Sequence, residues 1–472
     1  MPSPAEPTRL RQILATFDRS WVSLPVGAIV AGGVVLAAPI PIDMAWMLAI
    51  TVFCISLWIG NPVPPWFTAL IGIGLIGVTF STDLALVGFR SAATWLIVFG
   101  LLIGEATRAS GVADLVERWV LQRIPERVTT DPRSLYRYLL ITLCFAGLGL
   151  AVLIPSALVR VFVLGPIVLS VGELFEGRQP RVGLFLGPLF STYYGSAGIF
   201  TGSLANIIIA GIVESSAGIS FGWAEWAVWL GPIMGFGRTL TIIGIAYLLY
   251  RPAPEAGLDL EIKDRPSLAV SNTERRMLGF LLLGVAVWAT DSLHGLHPLY
   301  GALIVVLGAF APRLGAVDLE VVTDADHSIV FFLGAIFAIA AGLRQTGFTG
   351  LAADGILTYL PEDASMPIVL VFVVGLTLVL ALFMEGLAVA SVITPTLVSF
   401  VDGLGLSIKP VAMIEAVTLN TYFFPYQSAV LVAILGLDVV DSRELIRMAT
   451  LASIATLVIL LPMQIAVFTW FF

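Results

Sequence analysis

Charged residues are scarce in this chain of 472 residues. Asp, Glu, Lys and Arg together make up 12% of the sequence, whereas hydrophobic residues make up 58%. A soluble domain carries about 25% charged residues, because polar side chains must cover most of its surface. The composition therefore excludes a soluble globular protein and predicts a polytopic membrane protein.

Cysteine and histidine are rare as well. Cys54 and Cys144 both lie inside apolar runs, so we expect no disulfide between them. His294, His297 and His327 lie near predicted membrane edges, and no HExxH motif occurs. A membrane-embedded metallohydrolase would lack its ligands, so we predict neither enzymatic activity nor a cofactor. The net charge of −8 also predicts no nucleic-acid partner.

Long apolar segments dominate the rest of the sequence. They are continuous, which predicts transmembrane helices, since a β-barrel would show short alternating segments. Windows of about 20 residues predict about 11 transmembrane helices and two re-entrant hairpins, which makes the chain an all-α polytopic membrane protein. The predicted segments are TM1 (24–40), TM2 (42–60), TM3 (65–81), TM4 (91–109), hairpin 1 (136–173), TM5 (181–214), TM6 (223–250), TM7 (275–292), TM8 (298–314), TM9 (328–344), hairpin 2 (366–402), TM10 (408–436) and TM11 (446–472), with surface helices at 112–123 and 348–360.

The predicted segments fall into two similar halves. The stretch IPSALVRVFVLGPIV at 154–168 is matched by MEGLAVASVITPTLV from residue 383 when Pro166 is aligned with Pro395. Each half has an odd number of crossings, so the two repeats are inverted in the membrane, and inverted repeats build transport sites near the bilayer midplane. The predicted domains are an N-terminal segment with TM1 (1–41), the first repeat (42–250), a cytoplasmic linker (251–274) and the second repeat (275–472).

The distribution of the 24 Lys and Arg residues predicts the orientation. Most of them lie in loops on one side of the membrane, and such loops are cytoplasmic. We therefore expect a multi-pass inner-membrane protein in contact with lipid, with a cytoplasmic N-terminus and a C-terminus on the outer side. Hairpin 1 would open from the cytoplasm and hairpin 2 from the outside.

The tips of both hairpins are candidate binding sites. Unpaired backbone groups at membrane depth are tolerated only where they line a cavity or bind something. A serine hydroxyl alone is often bonded back to its own helix, but the repeated tip favours a binding role. The tips are formed by Pro155, Ser156 and Ala157 in hairpin 1, and by Met384, Glu385 and Gly386 in hairpin 2.

TM5 and TM10 are each interrupted by small and polar residues. A half-helix that begins near Asn206 or Gln427 would direct its positive N-terminal end at the break, which favours an anion. The alternative is that the small residues only permit close helix packing. Interruptions after the hairpin in both halves favour a binding site. The candidate residues are Thr201, Gly202, Ser203 and Asn206 in TM5, and Thr418, Asn420, Thr421, Gln427 and Ser428 in TM10.

Two charges lie at or beside the hairpin tips. Arg160 follows the first tip by one turn, and Glu385 lies at the second tip. A lone charge at the membrane centre costs about 2.5 to 3.5 kcal/mol, so each should have a partner. Arg160 would contact an anion and Glu385 would bind a proton or cation, or the two would pair with each other or with backbone carbonyls. Arg238 and Glu105 are interpreted as structural groups or as interfacial groups whose side chains extend towards the interface.

At these tips and breaks the chain resembles the divalent anion/sodium symporter family of the ion transporter superfamily. The resemblance covers nearly everything after TM1. It implies a homodimer of elevator-type transporters, in which a transport domain moves against a scaffold and carries anions such as dicarboxylates or sulfate. Members of the family show Ser-Asn-Thr at each tip, ten residues before a proline, and a Gly-Thr-Pro-Pro-Asn-like break in TM5.

This sequence matches the family motifs only in part. Ser156 matches at the first tip, and Gly202 and Asn206 match in TM5, so the resemblance implies a possible sodium site at these three residues. Neither tip keeps the Asn and Thr, since Ala157 and Leu158 follow Ser156 and the second tip reads Glu385-Gly386-Leu387. These losses put sodium coupling in doubt. One hypothesis is that fixed charge at Arg160 and Glu385 replaces the bound ion.

The sequence thus predicts a secondary active transporter of small anions, namely di- or tricarboxylates, sulfate or sulfonates. Its coupling ion would be Na⁺ or H⁺. The alternative is a proton-coupled or exchange carrier for another substrate of the same superfamily. A cation antiporter, which Glu385 would serve directly, is included in that alternative.

Overall fold

The computed structural model describes residues 19–128, 131–253, 269–359, 364–382 and 386–472. Within these ranges every regular element is helical. Large apolar side chains also point outward, among them Leu36, Val78 and Leu248. Apolar surface of this kind is costly in water and is expected where helices face lipid. The predicted all-α membrane fold is confirmed.

Six of these helices are long and apolar enough to cross a membrane, or seven if a pair bent by 75° at Gln345–Phe348 counts as one span. They are Ile42–Gly60, Ala92–Ala109, Pro132–Leu153, Trp223–Tyr250, Gly386–Gly403 and Ser442–Phe471, and the bent pair is Ile329–Gln345 with Phe348–Ile356. Several predicted crossings are shorter helices, because prolines and polar residues end them early. The shorter apolar helices are Ser23–Ala37, Pro65–Thr79, Ala157–Gly172, Leu204–Ala217, Pro298–Ala309 and Met366–Ala381.

In the first half, hairpin 1 consists of Pro132–Leu153 and Ala157–Gly172. Its first helix begins where Asp131 accepts a hydrogen bond from Ser134 N and Pro132 occupies the first helical position. The other elements are TM1 (Ser23–Ala37), TM2 (Ile42–Gly60), TM3 (Pro65–Thr79), TM4 (Ala92–Ala109), a surface helix (Val112–Gln122), TM5 (Arg178–Tyr194 and Leu204–Ala217) and TM6 (Trp223–Leu230, a π-helical turn at Gly231–Gly237, and Arg238–Tyr250).

The second half repeats this order. Its hairpin 2 consists of Met366–Ala381 and Gly386–Gly403, and its last helix contains a π-helical turn as TM6 does. The other elements are TM7 (Asn272–Ala289), TM8 (Pro298–Ala309), TM9 (Ile329–Gln345), a surface helix (Phe348–Leu357), TM10 (Ile408–Leu419 and Ala429–Leu435) and TM11 (Ser442–Ala455, Thr456–Leu460 and Leu461–Phe471).

The interruption of TM5 has a visible packing cause. After Tyr194 the chain makes two 3₁₀ turns, Gly195–Gly198 and Phe200–Gly202, before the helix resumes. A Cβ atom on Gly198 would lie 2.5 Å from Gly235 N in the π-helical turn of TM6. Only glycine allows this approach of two backbones, so the break in TM5 is fixed against TM6.

TM10 is interrupted differently. Its first half ends at Leu419, and a 3₁₀ turn at Pro425–Gln427 precedes the second half. No glycine occurs between residues 420 and 428, and Pro425 prevents a continuous helix. Both predicted breaks are therefore present, although they arise from different residues.

Some predictions fall outside the described residues. These are the segment 1–18, residues 254–268 of the linker, and Met384 and Glu385 at the tip of hairpin 2. The boundaries of the two repeats stay a prediction.

Candidate functional site

The interruptions of TM5 and TM10 meet through three polar side chains. Ser203 Oγ donates to Asn420 Oδ1 at 2.9 Å, and Asn420 Nδ2 donates to Asn206 Oδ1 at 3.4 Å. All three side chains are buried. The structure thus brings predicted residues from both halves into one hydrogen-bonded group, which we call the central group.

Asn206 also satisfies the broken backbone of TM5. Its Nδ2 donates to the carbonyls of Ala197 at 3.2 Å and Ile199 at 3.0 Å. Both carbonyls lie in the interruption, where Ala197 O also accepts from Trp226 Nε1 at 3.1 Å and Ile199 O accepts from Gly202 N at 2.9 Å. The Asn206 amide is a further donor to each carbonyl and so stabilises the break.

Arg160 joins hairpin 1 to TM5. Its Nη1 donates to Ile154 O at 2.6 Å, and its Nη2 donates to Gly202 O at 2.8 Å and to Thr192 O at 3.1 Å. Its Nε donates to Thr192 Oγ1 at 3.1 Å. The side chain is completely buried. Of the two alternatives for Arg160, the contact with backbone carbonyls is the one that the described residues display.

These contacts leave a positive charge beside the break. Among the described residues Arg160 forms hydrogen bonds but takes part in no ion pair with Asp or Glu. Its partners, three carbonyl oxygens and a hydroxyl, are neutral dipoles. A buried charge is tolerated when it is hydrogen-bonded in this way. The guanidinium therefore adds a fixed positive charge at Gly202.

Two helix N-termini lie at the same place. Ser156 Oγ accepts from Val159 N at 3.4 Å and so caps the second helix of hairpin 1, which begins at Ala157. The second half of TM5 begins at Leu204, and the Ser203 side chain does not cap it. Helix N-termini carry partial positive charge and favour anions.

The three predicted sodium ligands accept hydrogen bonds from protein groups. Gly202 O accepts from Arg160, Asn206 Oδ1 accepts from Asn420, and Ser156 Oγ accepts from Val159 N. A sodium ion at Gly202 O would approach the guanidinium, and two unit charges about 4 Å apart repel by roughly 4 kcal/mol at an effective dielectric constant of 20. The charge of Arg160 thus disfavours a sodium ion at Gly202 O, and the sodium site stays a prediction.

In the second half, Gln427 connects the broken helix TM10 to hairpin 2. Its Nε2 donates to Ala381 O at 2.8 Å, at the end of the first helix of hairpin 2. Its Oε1 accepts from Phe423 N at 2.8 Å and from Phe424 N at 2.9 Å. Gly386, which begins the next helix, is buried close to Leu419 at the end of the first half of TM10. The described part of hairpin 2 therefore lies against the break in TM10.

The remaining candidates are not part of the central group. Thr418 Oγ1 and Thr421 Oγ1 donate to carbonyls of their own helix, at Ile414 and Val417. Thr201 Oγ1 accepts from Trp223 Nε1 of TM6, and Ser428 Oγ is hydrogen-bonded to Tyr193 OH.

Arg238 was interpreted as either a structural or an interfacial group, and the structure displays the first of these. It is 1% exposed and does not extend to the interface. Its Nη1 donates to Tyr194 O at 3.2 Å, and its Nη2 donates to Asn420 O at 2.9 Å and to Thr421 Oγ1 at 3.0 Å. Its Nε donates to Thr456 Oγ1 in TM11. An arginine in the middle of a long apolar segment was the signal that pointed to such a role.

Glu415 in TM10 and a group of tyrosines were missed. Glu415 is completely buried, and its Oε1 accepts from Thr394 Oγ1 at 2.8 Å. The rings of Tyr193 and Tyr422 stack with centroids 5.5 Å apart, and Tyr194 OH donates to Tyr422 O. An acidic residue within the apolar stretch before Asn420 was the available signal for Glu415.

The central group is closed to solvent. Ser156 and Ser203 are only 8% and 7% exposed, and Asn206 and Arg160 are 0% exposed. A cavity of about 470 Å³ lies elsewhere, at the end of hairpin 1, and is lined by residues that include Gly172, Arg178 and Arg181. None of the predicted site residues lines this cavity. A ligand would therefore reach the central group only after a conformational change.

Comparisons with known proteins agree with this architecture. The sequence profile described as the transmembrane region of sodium:sulfate symporters matches residues 19–472. The L-tartrate/succinate antiporters of Shigella boydii serotype 4 and of Escherichia coli K12 are 22% identical, over 75% of this chain and 78% of theirs.

A solved structure has the same fold. The YdaH transporter of Alcanivorax borkumensis superposes with a TM-score of 0.55 and 14% sequence identity, and the match covers 91% of this chain and 98% of that protein. The family profile covers nearly the whole chain, including the hairpins and both broken helices. The chain therefore belongs to the sodium:sulfate symporter family, also called the divalent anion/sodium symporters, and is a multi-pass membrane transporter of anions.

Proposed function

We propose that this protein is a secondary active transporter that exchanges small dicarboxylates across the inner membrane without sodium. The observation that carries the proposal is Arg160, whose completely buried guanidinium lies beside the break of TM5 and binds Gly202 O. A tethered cation supplies the charge that a bound sodium ion would otherwise supply. The named activity of the relatives, exchange of L-tartrate and succinate, supports the same substrate class.

The charge at the centre suits a dianion. Arg160 and Arg238 are both buried at the broken helices, and the structure describes no carboxylate in contact with either. Together they contribute two positive charges, which a dicarboxylate or sulfate would balance. Charge-assisted hydrogen bonds to such groups are stronger than neutral ones. The same two cations argue against the alternative of a cation antiporter, since they would repel its substrate.

The elevator mechanism is part of the proposal. The moving body would comprise the two hairpins, TM5, TM6, TM10 and TM11, and the static body the other helices, through which a homodimer would form. Polar contacts join the two bodies at the predicted outer end. Asp291 Oδ2 accepts from Trp223 N and Ala224 N, and Arg344 Nη1 donates to Ser216 O at 2.9 Å. Movement would require these contacts to break.

The test is uptake of radiolabelled succinate, L-tartrate and sulfate into proteoliposomes. Three conditions are compared: internal unlabelled anion alone, an inward sodium gradient, and a pH gradient. We expect uptake that requires internal anion and is unchanged when sodium is replaced by choline. Uptake that depends on the sodium gradient would contradict the proposal, and so would the absence of uptake of all three anions.

A matched pair of variants tests the role of Arg160. Arg160→Lys keeps the charge but not the planar fork that serves Ile154, Thr192 and Gly202, so we expect at least about a tenfold loss of exchange. Arg178→Lys, at an exposed ion pair with Asp441 and Glu444, is the control and should exchange normally. Equal rates for the two variants would show that Arg160 is dispensable.

A further inference from the structure

Glu415 is a buried carboxyl group whose hydrogen bonding is incomplete. It lies in the first half of TM10 and is 0% exposed. Thr394 Oγ1 in hairpin 2 donates to its Oε1 at 2.8 Å, whereas its Oε2 has no hydrogen-bond partner among the described residues. A buried carboxylate oxygen without a partner is unfavourable, so whether this group is ionised depends on the more distant charges around it.

The helices packed against Glu415 bring no cation to it. The first helix of hairpin 2 contains no ionisable residue, and neither does the 3₁₀ turn Gly195–Gly198. The second helix of hairpin 2 carries Asp402 near its end, and the second half of TM5 carries Glu214 near its end. Both of these groups are acids, so neither would stabilise a charged Glu415.

The cations on or near TM10 have other partners. Lys409, on the same helix, donates to both carboxylate oxygens of Glu225, at 2.6 and 2.8 Å. Arg238 binds the carbonyl of Asn420 and the hydroxyl of Thr421. Within the part of the chain that the structure describes, Glu415 therefore has no counter-charge in direct contact, and only the more distant Arg160 and Arg238 can stabilise its ionised form.

Glu415 is close to the central group but separate from the tip of hairpin 2. Asn420 follows it by five residues, which is about 7.5 Å along a helix. Its partner Thr394 lies eight residues after Gly386, about 12 Å along the helix from the tip. Glu415 is thus near enough to influence an anion at the breaks electrostatically.

The number of charges at the centre links Glu415 to the substrate. Among the described residues, which do not include Glu385, Arg160 and Arg238 contribute two positive charges, and a dianion balances them when Glu415 is neutral. If Glu415 were ionised as well, the occupied centre would carry an excess negative charge. Without substrate, an ionised Glu415 would instead offset part of the positive charge. Substrate binding should therefore favour protonation of Glu415, and protonation should favour binding.

We propose that Glu415 is a proton-binding site of the carrier. It takes up one proton from water when a dianion binds at the broken helices and releases it when the dianion leaves. This inference rests on the proposed function, because it requires a dianionic substrate. At a separation of about 10 Å and an effective dielectric constant of 20, an ionised Glu415 weakens binding of a dianion by at least about tenfold.

The test compares the wild-type protein with Glu415→Gln and with the control Glu173→Gln, which alters an exposed carboxylate at the end of hairpin 1. Binding of sulfate, whose charge is constant between about pH 6 and 8, is measured in detergent at several pH values. Proton uptake on binding is followed with an indicator dye in weakly buffered solution. Exchange in proteoliposomes is recorded for all three proteins.

We expect wild type and Glu173→Gln to bind at least about tenfold more tightly at the low end of this range and to take up protons. Glu415→Gln should bind equally well at every pH, without proton uptake. The same pH dependence and proton uptake in Glu415→Gln would overturn the inference while leaving exchange by the wild type, and thus the proposed function, intact. If the wild type transports none of the anions, the proposed function itself fails.

A second measurement covers the case in which Glu415→Gln does not fold. Infrared difference spectra of the wild type, recorded with and without sulfate, should show the carbonyl band of a protonated carboxylic acid appearing on binding. A protein that binds sulfate without this band would overturn the inference.

Discussion

Hairpin 1 is joined to its broken helix by a cation, whereas hairpin 2 is joined to its broken helix by a neutral amide. Arg160 reaches from hairpin 1 to the carbonyls of Thr192 and Gly202 in TM5. Gln427 reaches from TM10 to Ala381 O in hairpin 2. The two halves share a backbone plan, but among the described residues, which leave out Glu385 at the second tip, only the first joint contains a permanent charge.

The breaks also differ in the length of the helix that follows and in their packing. TM5 resumes as a helix of 14 residues and is pressed against TM6 at Gly198, whereas TM10 resumes as a helix of 7 residues. The second half instead contains Glu415, for which we propose a change of charge. The comparison suggests a division of roles, in which the first half holds a fixed field and the second half responds to the substrate.

The largest expected effect comes from removing the fixed charge. Arg160→Met leaves the carbonyls of Ile154, Thr192 and Gly202 buried without this donor, and we expect a loss of roughly 3 to 5 kcal/mol in stability. Unfolding by SDS in mixed micelles measures it. Arg178→Met, which removes an exposed ion pair, is the control and should change stability little. Equal stability of both variants would mean that Arg160 does not hold hairpin 1 against TM5.

The next largest effect is expected where the break in TM5 packs against TM6. In Gly198→Ala the new Cβ would meet Gly235 N at 2.5 Å and Gly235 Cα at 2.8 Å. Because both are backbone atoms, TM5 or TM6 must shift, and we expect a loss of about 2 to 3 kcal/mol together with slower exchange. Gly244→Ala, where nothing lies within 4 Å of the new atom, should be neutral. A harmless Gly198→Ala would show that the TM5 break is as adaptable as that of TM10.

A smaller effect is expected at the neutral joint. Gln427→Met removes the donor to Ala381 O and the acceptor for Phe423 N and Phe424 N, which should cost about 2 kcal/mol. The measurement is thermal unfolding in detergent, monitored by size-exclusion chromatography. The control is Gln179→Met, which changes an exposed position. A loss greater than that of Arg160→Met would reverse the proposed order of the two joints.

The smallest effect on stability is expected at Glu274, a carboxylate that forms an ion pair with Arg118. Burial alone would raise the pKa of Glu274, but hydrogen bonds from Arg118 Nη2 and Ser271 N hold the pKa below its ordinary value. The ionised Glu274 carboxylate therefore adds to the free energy of unfolding above the ordinary pKa of about 4.3. This contribution is lost as the pH falls through the lowered pKa of Glu274 in the folded protein.

Glu274→Gln should accordingly reduce stability by about 1 kcal/mol at pH 7 and make little difference once the wild-type carboxyl is protonated. Unfolding at pH 7 and below pH 4 provides the measurement. A difference that persists in acid would mean that the pair with Arg118 is not its source. The result sharpens the contrast between paired charges at the membrane edge and unpaired charges at the centre.

The sequence was sufficient to predict the hairpins and the breaks because their signals are local. Polar residues, glycines and prolines within apolar runs marked Pro155 to Ala157 and the interruption before Asn206, and the structure has its turns there. Helix lengths were harder to predict, since TM8 begins at Pro298 as predicted but ends at Ala309, five residues before the predicted end.

The partners of the buried charges could not be predicted from the sequence. Arg238 and Asn420 are far apart in the chain and meet only because TM6 packs beside both broken helices. For the same reason the neighbours of Glu415, and its lack of a counter-charge, depend on how hairpin 2 packs against TM10. Periodicity shows that a charge is buried but not which groups surround it.

Arg238 has a consequence for ion selectivity. A broken helix ordinarily presents a negative C-terminal end and a positive N-terminal end to the same gap, so that the two partial charges largely cancel. Arg238 binds Tyr194 O at the end of the first half of TM5 and Asn420 O at the end of the first half of TM10. It thereby offsets both negative ends, while the N-terminal end at Leu204 has no side-chain cap. We expect the gap to acquire a predominantly positive electrostatic potential, which would disfavour cations before any side chain touches the solute.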